Sequence, residues 1–264
     1  MSVTPAFTAA RKDNRAALVG YLPAGFPTVE KSRDALRTLV DSGVDVIEVG
    51  LPYSDPVMDG PAIQQAANLA LHEGFRVNDV FDLVSSVSNQ VPVMVMTYWN
   101  LVEHYGVEAF GTRLAQAGGS GLITPDLIPD EAEEWMTVSD AANLDRTFLV
   151  APSSTDDRIK STVDACRGFV YAQSVMGVTG ARDAVSQVAP ELVERTRRFS
   201  DLPIGVGLGV RTGEQAAAIA RYADAVIVGS AMVNSLLEAP THADGLRTLG
   251  KLTEELAAGV RGRG

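Results

Sequence analysis

Short apolar runs alternate with longer amphipathic stretches along this chain. The apolar runs are bounded by Gly, Pro or Asp and predict strands over residues 16–22, 44–49, 92–98, 121–124, 147–151, 168–172, 203–207 and 225–229. Helical periodicity occupies the stretches between them, at residues 29–42, 62–72, 107–117, 130–139, 156–166, 190–199 and 212–222. The pattern therefore repeats a strand–helix unit about eight times.

Several predicted strands are apolar throughout instead of alternating, as in Val-Met-Val-Met at 93–96 and Ala-Val-Ile-Val at 225–228. Such runs are typical of parallel strands that are covered on both faces. Repeated strand–helix units in a chain of this length predict a closed (β/α)8 TIM barrel, here with extra N-terminal and C-terminal helices. A doubly wound open sheet is the alternative, although it would usually have fewer strands or a second domain. Because no linker or low-complexity tract interrupts the chain, residues 1–264 are predicted to form one domain.

Composition excludes several classes of protein. With 264 residues, 46% of them hydrophobic, the chain can bury a large core and is not expected to be disordered. The net charge of −11 and the lack of a basic stripe argue against nucleic acid as a partner. Neither a secretion signal nor an apolar run of about 20 residues is present, so we expect no membrane association and a cytoplasmic location. The single cysteine, Cys166, predicts a small structural residue on a helix surface or in the core.

Glu48 interrupts the apolar second strand. Two-residue alternation places it on the same face as Val44 and Val46, and in a barrel that face points inward. Burial disfavours a charged carboxylate, so a glutamate there can retain its proton and act as a general acid. The structural alternative is an acid at the strand end that pairs with a buried arginine.

Asp59 lies further along the loop that follows the same strand. This loop is long and rich in Pro and Gly, and long loops in compact domains commonly carry function. A second carboxylate beside Glu48 favours acid–base chemistry. Two structural alternatives remain open at this point: Asp59 caps a helix that begins at Pro61, and Asp55 with Pro56 only starts a turn.

Glycines cluster after the last two predicted strands, at Gly205-Val-Gly207-Leu-Gly209 and at Gly229-Ser230. Backbone N–H groups at helix starts bind anions, and TIM barrels commonly hold phosphate at these two loops. Glycines that only allow tight turns are the alternative. The spacing is not that of a dinucleotide-binding motif, so a nicotinamide cofactor is excluded. The glycine-rich loop at 173–182 suits a lid over a ligand, or else is an ordinary surface loop.

Lysine and histidine are scarce. The four lysines lie in the N-terminal segment or in predicted helices, at Lys12, Lys31, Lys160 and Lys251. A lysine that forms a Schiff base should sit near a strand end, so this route to carbon–carbon cleavage is disfavoured. The histidines, at His72, His104 and His242, are scattered and predict no metal site. Two possibilities remain: acid–base chemistry by carboxylates on a substrate that carries its own electron sink, or a proton transfer that needs no electron sink.

The run Glu48-Val-Gly-Leu-Pro-Tyr-Ser-Asp-Pro-Val-Met-Asp-Gly60 closely resembles the signature of the tryptophan synthase α subunit family. Gly177-Val-Thr-Gly180, Gly207-Leu-Gly209 and Gly229-Ser230 fall where that family has its lid and phosphate loops. The resemblance implies a TIM-barrel lyase of tryptophan biosynthesis. Such an enzyme cleaves indole-3-glycerol phosphate into indole and glyceraldehyde 3-phosphate by a retro-aldol reaction.

The resemblance also implies roles for individual residues. Glu48 would be the proton shuttle, Asp59 would bind the indole N–H, and Tyr171 would support Glu48 and the substrate. The phosphate-binding residues would be Gly180, Gly207, Leu208, Gly209, Gly229 and Ser230. The other substrate-binding residues would be Tyr21, Ile63, Met96, Tyr98 and Thr179. The sequence departs from the family pattern at Met58, Leu208 and Trp99. These differences affect the expected shape of the pocket and the packing of the loops, but not the expected chemistry.

The resemblance further implies a partner. This would be a β subunit that carries pyridoxal phosphate and receives indole in an α2β2 complex, and the present chain would hold no cofactor of its own. The alternative function is a catalytically silent phosphate-binding barrel that regulates a partner enzyme. Sugar-phosphate isomerases, epimerases and indole-glycerol-phosphate synthase are rival barrels. The synthase should need lysines at strand ends, and a metal-dependent epimerase should need clustered histidines, and the sequence has neither pattern.

Overall fold

The computed structural model describes residues 2–173, 182–207 and 209–262. The strands in this part of the chain are β1 Ala17–Pro23, β2 Val46–Gly50, β3 Val93–Met96, β4 Gly121–Ile123, β5 Asp145–Thr147, β6 Leu149–Val150, β7 Val170–Gln173, β8 Ile204–Gly207 and β9 Ala225–Val228. The α-helices are α1 Thr4–Lys12, α2 Val29–Asp41, α3 Pro61–His72, α4 Asp79–Ser85, α5 Trp99–Tyr105, α6 Val107–Gln116, α7 Glu133–Ala141, α8 Asp156–Ala165, α9 Arg182–Arg197, α10 Gly213–Ala220, α11 Ser230–Leu237 and α12 His242–Arg261.

All nine strands pair in parallel in one sheet, with the order β5-β4-β3-β2-β1-β9-β8-β7-β6. The two edge strands, β5 and β6, are neighbours in sequence and are separated only by Phe148. The sheet therefore closes on itself. The predicted TIM barrel with extra terminal helices is confirmed, and the doubly wound alternative is wrong.

The fifth predicted strand differs from its prediction, because it begins at Asp145 and is broken at Phe148. The N–H of Phe148 donates to Cys166 Sγ at 3.4 Å instead of continuing the ladder toward β4. Its carbonyl oxygen accepts from the N–H of Tyr171 at 3.3 Å, so the chain passes from pairing with β4 to pairing with β7. Cys166 is buried in the core, which is one of the two positions predicted for it.

Two apolar layers surround the strands. Leu18 and Ile47 belong to the layer between sheet and helices, whereas Val19 and Val46 point into the barrel, as strand alternation requires. Phe7 of α1 joins the inner layer and stacks on Phe169 with ring centroids 5.4 Å apart. Helix α1 thus closes the end of the barrel at which the strands begin.

Most helix boundaries agree with the sequence pattern to within about two residues. Thr212 caps α10 as predicted, because its side chain accepts a hydrogen bond from the N–H of Gln215. The predicted helix 130–139 is instead a 3-10 turn, Pro129–Glu131, followed by α7. The predicted helix 190–199 is the second half of α9, which continues through Pro190. In the described part of the chain, no helix is long and apolar enough to cross a membrane.

Candidate active site

A cavity of about 220 Å³ opens where the strands of the barrel end. Its walls come from the carboxyl ends of strands on both sides of β1 and from the loops that follow them. This is the end of a TIM barrel at which active sites are found. The lining residues are Tyr21, Glu48, Met58, Asp59, Gly60, Ile63, Met96, Leu149, Tyr171, Gln173, Gly207, Gly209, Ile227, Gly229 and Ser230.

Glu48 lies inside this cavity and is only 1% exposed. Strand β2 directs it inward on the same face as Val46, whereas Val44 precedes the strand and packs in the outer layer, contrary to the prediction. Its Oε2 atom has no hydrogen-bond partner, and no ion pair to an arginine is found among the described residues. Burial, together with the nearby charge of Asp59, raises the pKa of Glu48 to about 8. Within the part of the chain that the structure describes, Glu48 is therefore not in a structural pair with a buried arginine.

Asp59 reaches the same cavity from the loop after β2. Burial raises the pKa of its carboxyl, while a hydrogen bond from the Tyr98 hydroxyl opposes that shift. Asp59 does not cap α3 through its side chain: Gly60 is the N-cap residue, and there is no side-chain cap hydrogen bond. Instead, the backbone carbonyl of Asp59 accepts from Gln64 Nε2 at 2.7 Å. The capping alternative for Asp59 is wrong.

Tyr21 and Tyr171 both line the cavity, and each lies beside a glycine. A Cβ atom on Gly50 would lie 2.1 Å from the Tyr21 hydroxyl oxygen, and a Cβ on Gly207 would lie 2.5 Å from that of Tyr171. Both glycines therefore provide the space that a tyrosine ring occupies. Burial raises the pKa of both phenols well above 10, so both hydroxyls remain neutral and can donate hydrogen bonds.

Gly209, Gly229 and Ser230 form another part of the wall. Gly209 adopts φ +64°, a left-handed conformation that favours glycine. Ser230 is the first residue of α11, so the free backbone N–H groups of that helix begin at the cavity. Such N–H groups, with the positive end of the helix dipole, attract an anion without a basic side chain.

The structure brings most of the predicted site residues together. Those that line the cavity are Glu48, Asp59, Tyr21, Ile63, Met96, Tyr171, Gly207, Gly209, Gly229 and Ser230. Tyr98 is not among the residues that line the cavity, but its hydroxyl donates a hydrogen bond to Asp59 Oδ1 at 3.3 Å. Thr179, Gly180 and Leu208 lie outside the described residues, as does most of the predicted lid.

Sequence reasoning missed five lining residues, namely Met58, Gly60, Leu149, Gln173 and Ile227. Gln173 lies on β7, two positions after Tyr171. Ile227 lies on β9, two positions before Gly229, which directly follows that strand. Strand alternation could have identified both. Met58 and Gly60 flank Asp59 in a loop, where no periodicity gives the direction of a side chain.

The lysines and histidines lie on helices, away from the strand ends that form the cavity. The four lysines are on α1, α2, α8 and α12, and the three histidines are on α3, α5 and α12. Residues 2–173, 182–207 and 209–262 contain no group of three His, Cys, Asp or Glu side chains that could hold a metal ion. Among the described residues that line the cavity, the titratable side chains are therefore those of Glu48, Asp59, Tyr21 and Tyr171.

The chain is similar to a described protein family over almost its whole length. A family model with the description "Tryptophan synthase alpha chain" matches residues 7–261. A protein of that name from Mycobacterium marinum is 61% identical over 260 residues, which cover 98% of this chain and 94% of the relative. Another from Salinispora tropica is 61% identical over 257 residues, which cover 97% and 96%.

Solved structures agree with these relatives. Tryptophan synthase from M. tuberculosis, in an open form with BRD0059 bound, superposes with a TM-score of 0.91 at 56% identity and covers 99% of each chain. Tryptophan synthase subunit alpha from Legionella pneumophila superposes with a TM-score of 0.89 at 30% identity and covers 98% of each chain.

Proposed function

The chain belongs to the tryptophan synthase alpha chain family, and we propose that Glu48 and Asp59 carry out the chemistry of that family in it. The alpha subunit is the lyase of tryptophan biosynthesis that cleaves indole-3-glycerol phosphate. The observation that carries the proposal is the unpartnered Oε2 of Glu48, buried in the cavity beside Asp59. A catalytically silent barrel would gain nothing from an unpaired buried carboxyl group, which reduces the stability of the fold.

In the proposed reaction, Glu48 begins protonated and gives its proton to C3 of the indole ring. The ring then carries a positive charge, which Asp59 stabilises by accepting a hydrogen bond from the indole N–H. The Glu48 carboxylate next takes the proton of the glycerol hydroxyl adjacent to the bond that breaks. The carbon–carbon bond cleaves, its electron pair returns to the ring, and the hydroxyl becomes the aldehyde. Glu48 is left protonated again, so the cycle closes without another acid.

We assign the binding residues from their places around the cavity. Gly207, Gly209, Gly229 and Ser230 hold the phosphate through backbone N–H groups and the start of α11. The family resemblance adds Gly180, Leu208 and Thr179 from outside the described residues. Tyr171 supports Glu48 and the substrate, and the indole wall consists of Tyr21, Ile63 and Met96. This arrangement explains how a chain of net charge −11 binds an anion.

The partner in this proposal is a β subunit in an α2β2 complex, and that subunit, not this chain, carries pyridoxal phosphate. Similarity to solved tryptophan synthase structures supports it. We further propose a cytoplasmic location, as for a biosynthetic enzyme, and one domain over residues 1–264.

Indole release by the variant Glu48→Gln tests the assignment of Glu48. Glutamine keeps the size of the side chain but cannot exchange a proton, so we expect turnover to fall by about 10²–10⁴-fold. Binding of glycerol 3-phosphate, a probe of the phosphate subsite, should persist. The assay follows cleavage spectroscopically, with this chain alone and with a β subunit added.

Asp55→Asn is a matched control, because it makes the same chemical change on an exposed side chain of the loop that carries Asp59. The control should retain turnover when this chain is assayed alone. Residual activity of Glu48→Gln above about 10% of the wild-type rate would contradict the role of Glu48.

A further inference from the structure

Tyr98 lies between β3 and α5, and its side chain is 5% exposed. Its ring packs against Tyr53, with centroids 5.2 Å apart and an interplanar angle of 37°. The Tyr53 hydroxyl in turn accepts a hydrogen bond from Asn100 Nδ2 at 3.1 Å. The ring of Tyr98 is therefore held from the side of the loop after β2 and from the start of α5.

The Tyr98 hydroxyl makes two hydrogen bonds with consecutive residues of that loop. It accepts from the backbone N–H of Met58 at 3.0 Å and donates to Asp59 Oδ1 at 3.3 Å. A phenol carries a single proton, and the N–H of Met58 can only occupy an acceptor position on the oxygen. The proton is thus free to point at Asp59, and the two bonds join the loop to the end of β3.

We propose that Tyr98 is a positioning residue, which holds the Asp59 carboxylate at the cavity by anchoring Met58 and by donating to Oδ1. This role replaces the place on the indole wall that the family resemblance implied for it. The inference rests on the function proposed for Asp59. The 3.3 Å separation is long for a hydrogen bond between oxygens, and such catalytic contacts commonly tighten when substrate binds.

The hydroxyl also acts on the charge of Asp59. The titratable groups around that carboxyl are Glu48 on β2, Tyr21 on β1 and Tyr98 itself, and among the described residues it has no ion pair. Burial raises the pKa of Asp59, and the bond from Tyr98 lowers it. Donation by Tyr98 therefore favours the ionised Asp59 that an indole cation requires. Loss of the hydroxyl should raise the pKa of Asp59 further.

The variant Tyr98→Phe removes the hydroxyl and keeps the ring. A hydrogen bond to a charged group is strong, so we expect kcat/KM for indole-3-glycerol phosphate to fall by about 10- to 100-fold, mainly in kcat. The acid limb of the profile of kcat/KM against pH should move to higher pH, which a purely structural role would not cause. The affinity of the variant for glycerol 3-phosphate should stay unchanged. This unchanged affinity would show that the barrel is folded.

Tyr53→Phe is the matched control, because it removes a hydroxyl from the ring that stacks on Tyr98 without touching Asp59. It should change kcat/KM by less than about threefold and leave the acid limb in place. A Tyr98→Phe enzyme with wild-type kcat/KM and an unmoved acid limb would overturn the proposal. So would a Tyr53→Phe enzyme with the same losses as Tyr98→Phe, because the ring pair alone would then matter.

The double variant Asp59→Asn with Tyr98→Phe separates this inference from the function on which it rests. If Tyr98 acts through Asp59, its substitution should have little further effect once Asp59 is gone. An undiminished effect of Tyr98→Phe in the Asp59→Asn background would overturn the inference alone. Wild-type turnover by the single variant Asp59→Asn would overturn the role of Asp59 and the inference together.

Discussion

Asp45 precedes β2 at the bottom of the barrel, and Glu48 lies within β2, on the side of the cavity at the barrel mouth. The Asp45 carboxylate accepts hydrogen bonds from Arg15 Nη1 at 2.7 Å and Nη2 at 2.8 Å. It also accepts one from the backbone N–H of Leu18 at 2.8 Å. Glu48 is buried more deeply, yet its Oε2 has no partner. A carboxylate that is fully hydrogen-bonded stabilises the fold, whereas one left without partners is available for proton transfer.

The same difference extends to the rest of the two barrel ends. At the bottom, buried Asp145 accepts from the N–H of Val3 at 2.7 Å and from Ser2 Oγ at 2.9 Å, which joins the N-terminal segment to β5. At the mouth, tyrosines, glycines and the start of α11 leave space around Glu48. The bottom therefore contributes stability and the mouth contributes chemistry, as is general for TIM barrels.

Breaking the pair at the bottom should cause the largest loss of stability. Arg15 and Asp45 are only 12% and 13% exposed, so Arg15→Ala leaves a mostly buried carboxylate without its cation. We expect a loss of roughly 3 kcal/mol in the free energy of unfolding, measured by urea denaturation at pH 7.

Lys160→Ala is the control for that substitution, because Lys160 and Asp164 form an exposed pair on α8 that should contribute less than about 1 kcal/mol. Equal losses in the two variants would contradict the distinction between the barrel ends.

Glu48→Gln should act in the opposite direction and make the protein more stable. The pKa of Glu48 is raised from 4.5 to about 8 on folding, so the unfolded chain releases this proton at a lower pH than the folded protein does. The glutamate therefore costs no stability below pH 4.5, an increasing amount between pH 4.5 and 8, and a constant amount above that.

At pH 7 the glutamine variant should gain about 3 kcal/mol in the free energy of unfolding, and near pH 4 almost nothing. Paired urea titrations at the two pH values measure this gain. Glu103→Gln, on the exposed surface of α5, should show no such dependence on pH. A Glu48→Gln variant less stable than wild type at pH 7 would mean that the carboxyl group is paired after all.

Much of the fold could be predicted because strands covered on both faces leave a simple pattern. Val93–Met96 and Ala225–Val228 are apolar throughout and are strands at almost the predicted bounds. The break at Phe148 could not be predicted, because it depends on a contact with Cys166, which is distant in sequence. Phe148 by itself has a high β propensity, which predicts a continuous strand.

The site was predictable to the extent that strand alternation applied. Glu48 was identified as a charged residue within an apolar strand, and its inward direction followed from its position in β2. The direction of the Tyr98 side chain could not be predicted, because β3 ends at Met96 and strand alternation no longer applies. Its contacts with Met58 and Asp59 join two loops, and only the folded structure brings these together.

A direct titration of Glu48 tests the central claim, that this carboxyl group keeps its proton at neutral pH because it is buried beside Asp59 with no hydrogen-bond partner at Oε2. Carbon-13 labelling of glutamate side chains, with Glu48→Gln to assign the signal, would follow the Glu48 carboxyl carbon by NMR as the pH changes. The account predicts a midpoint at about 8. A midpoint near the ordinary value of 4.5 would contradict it.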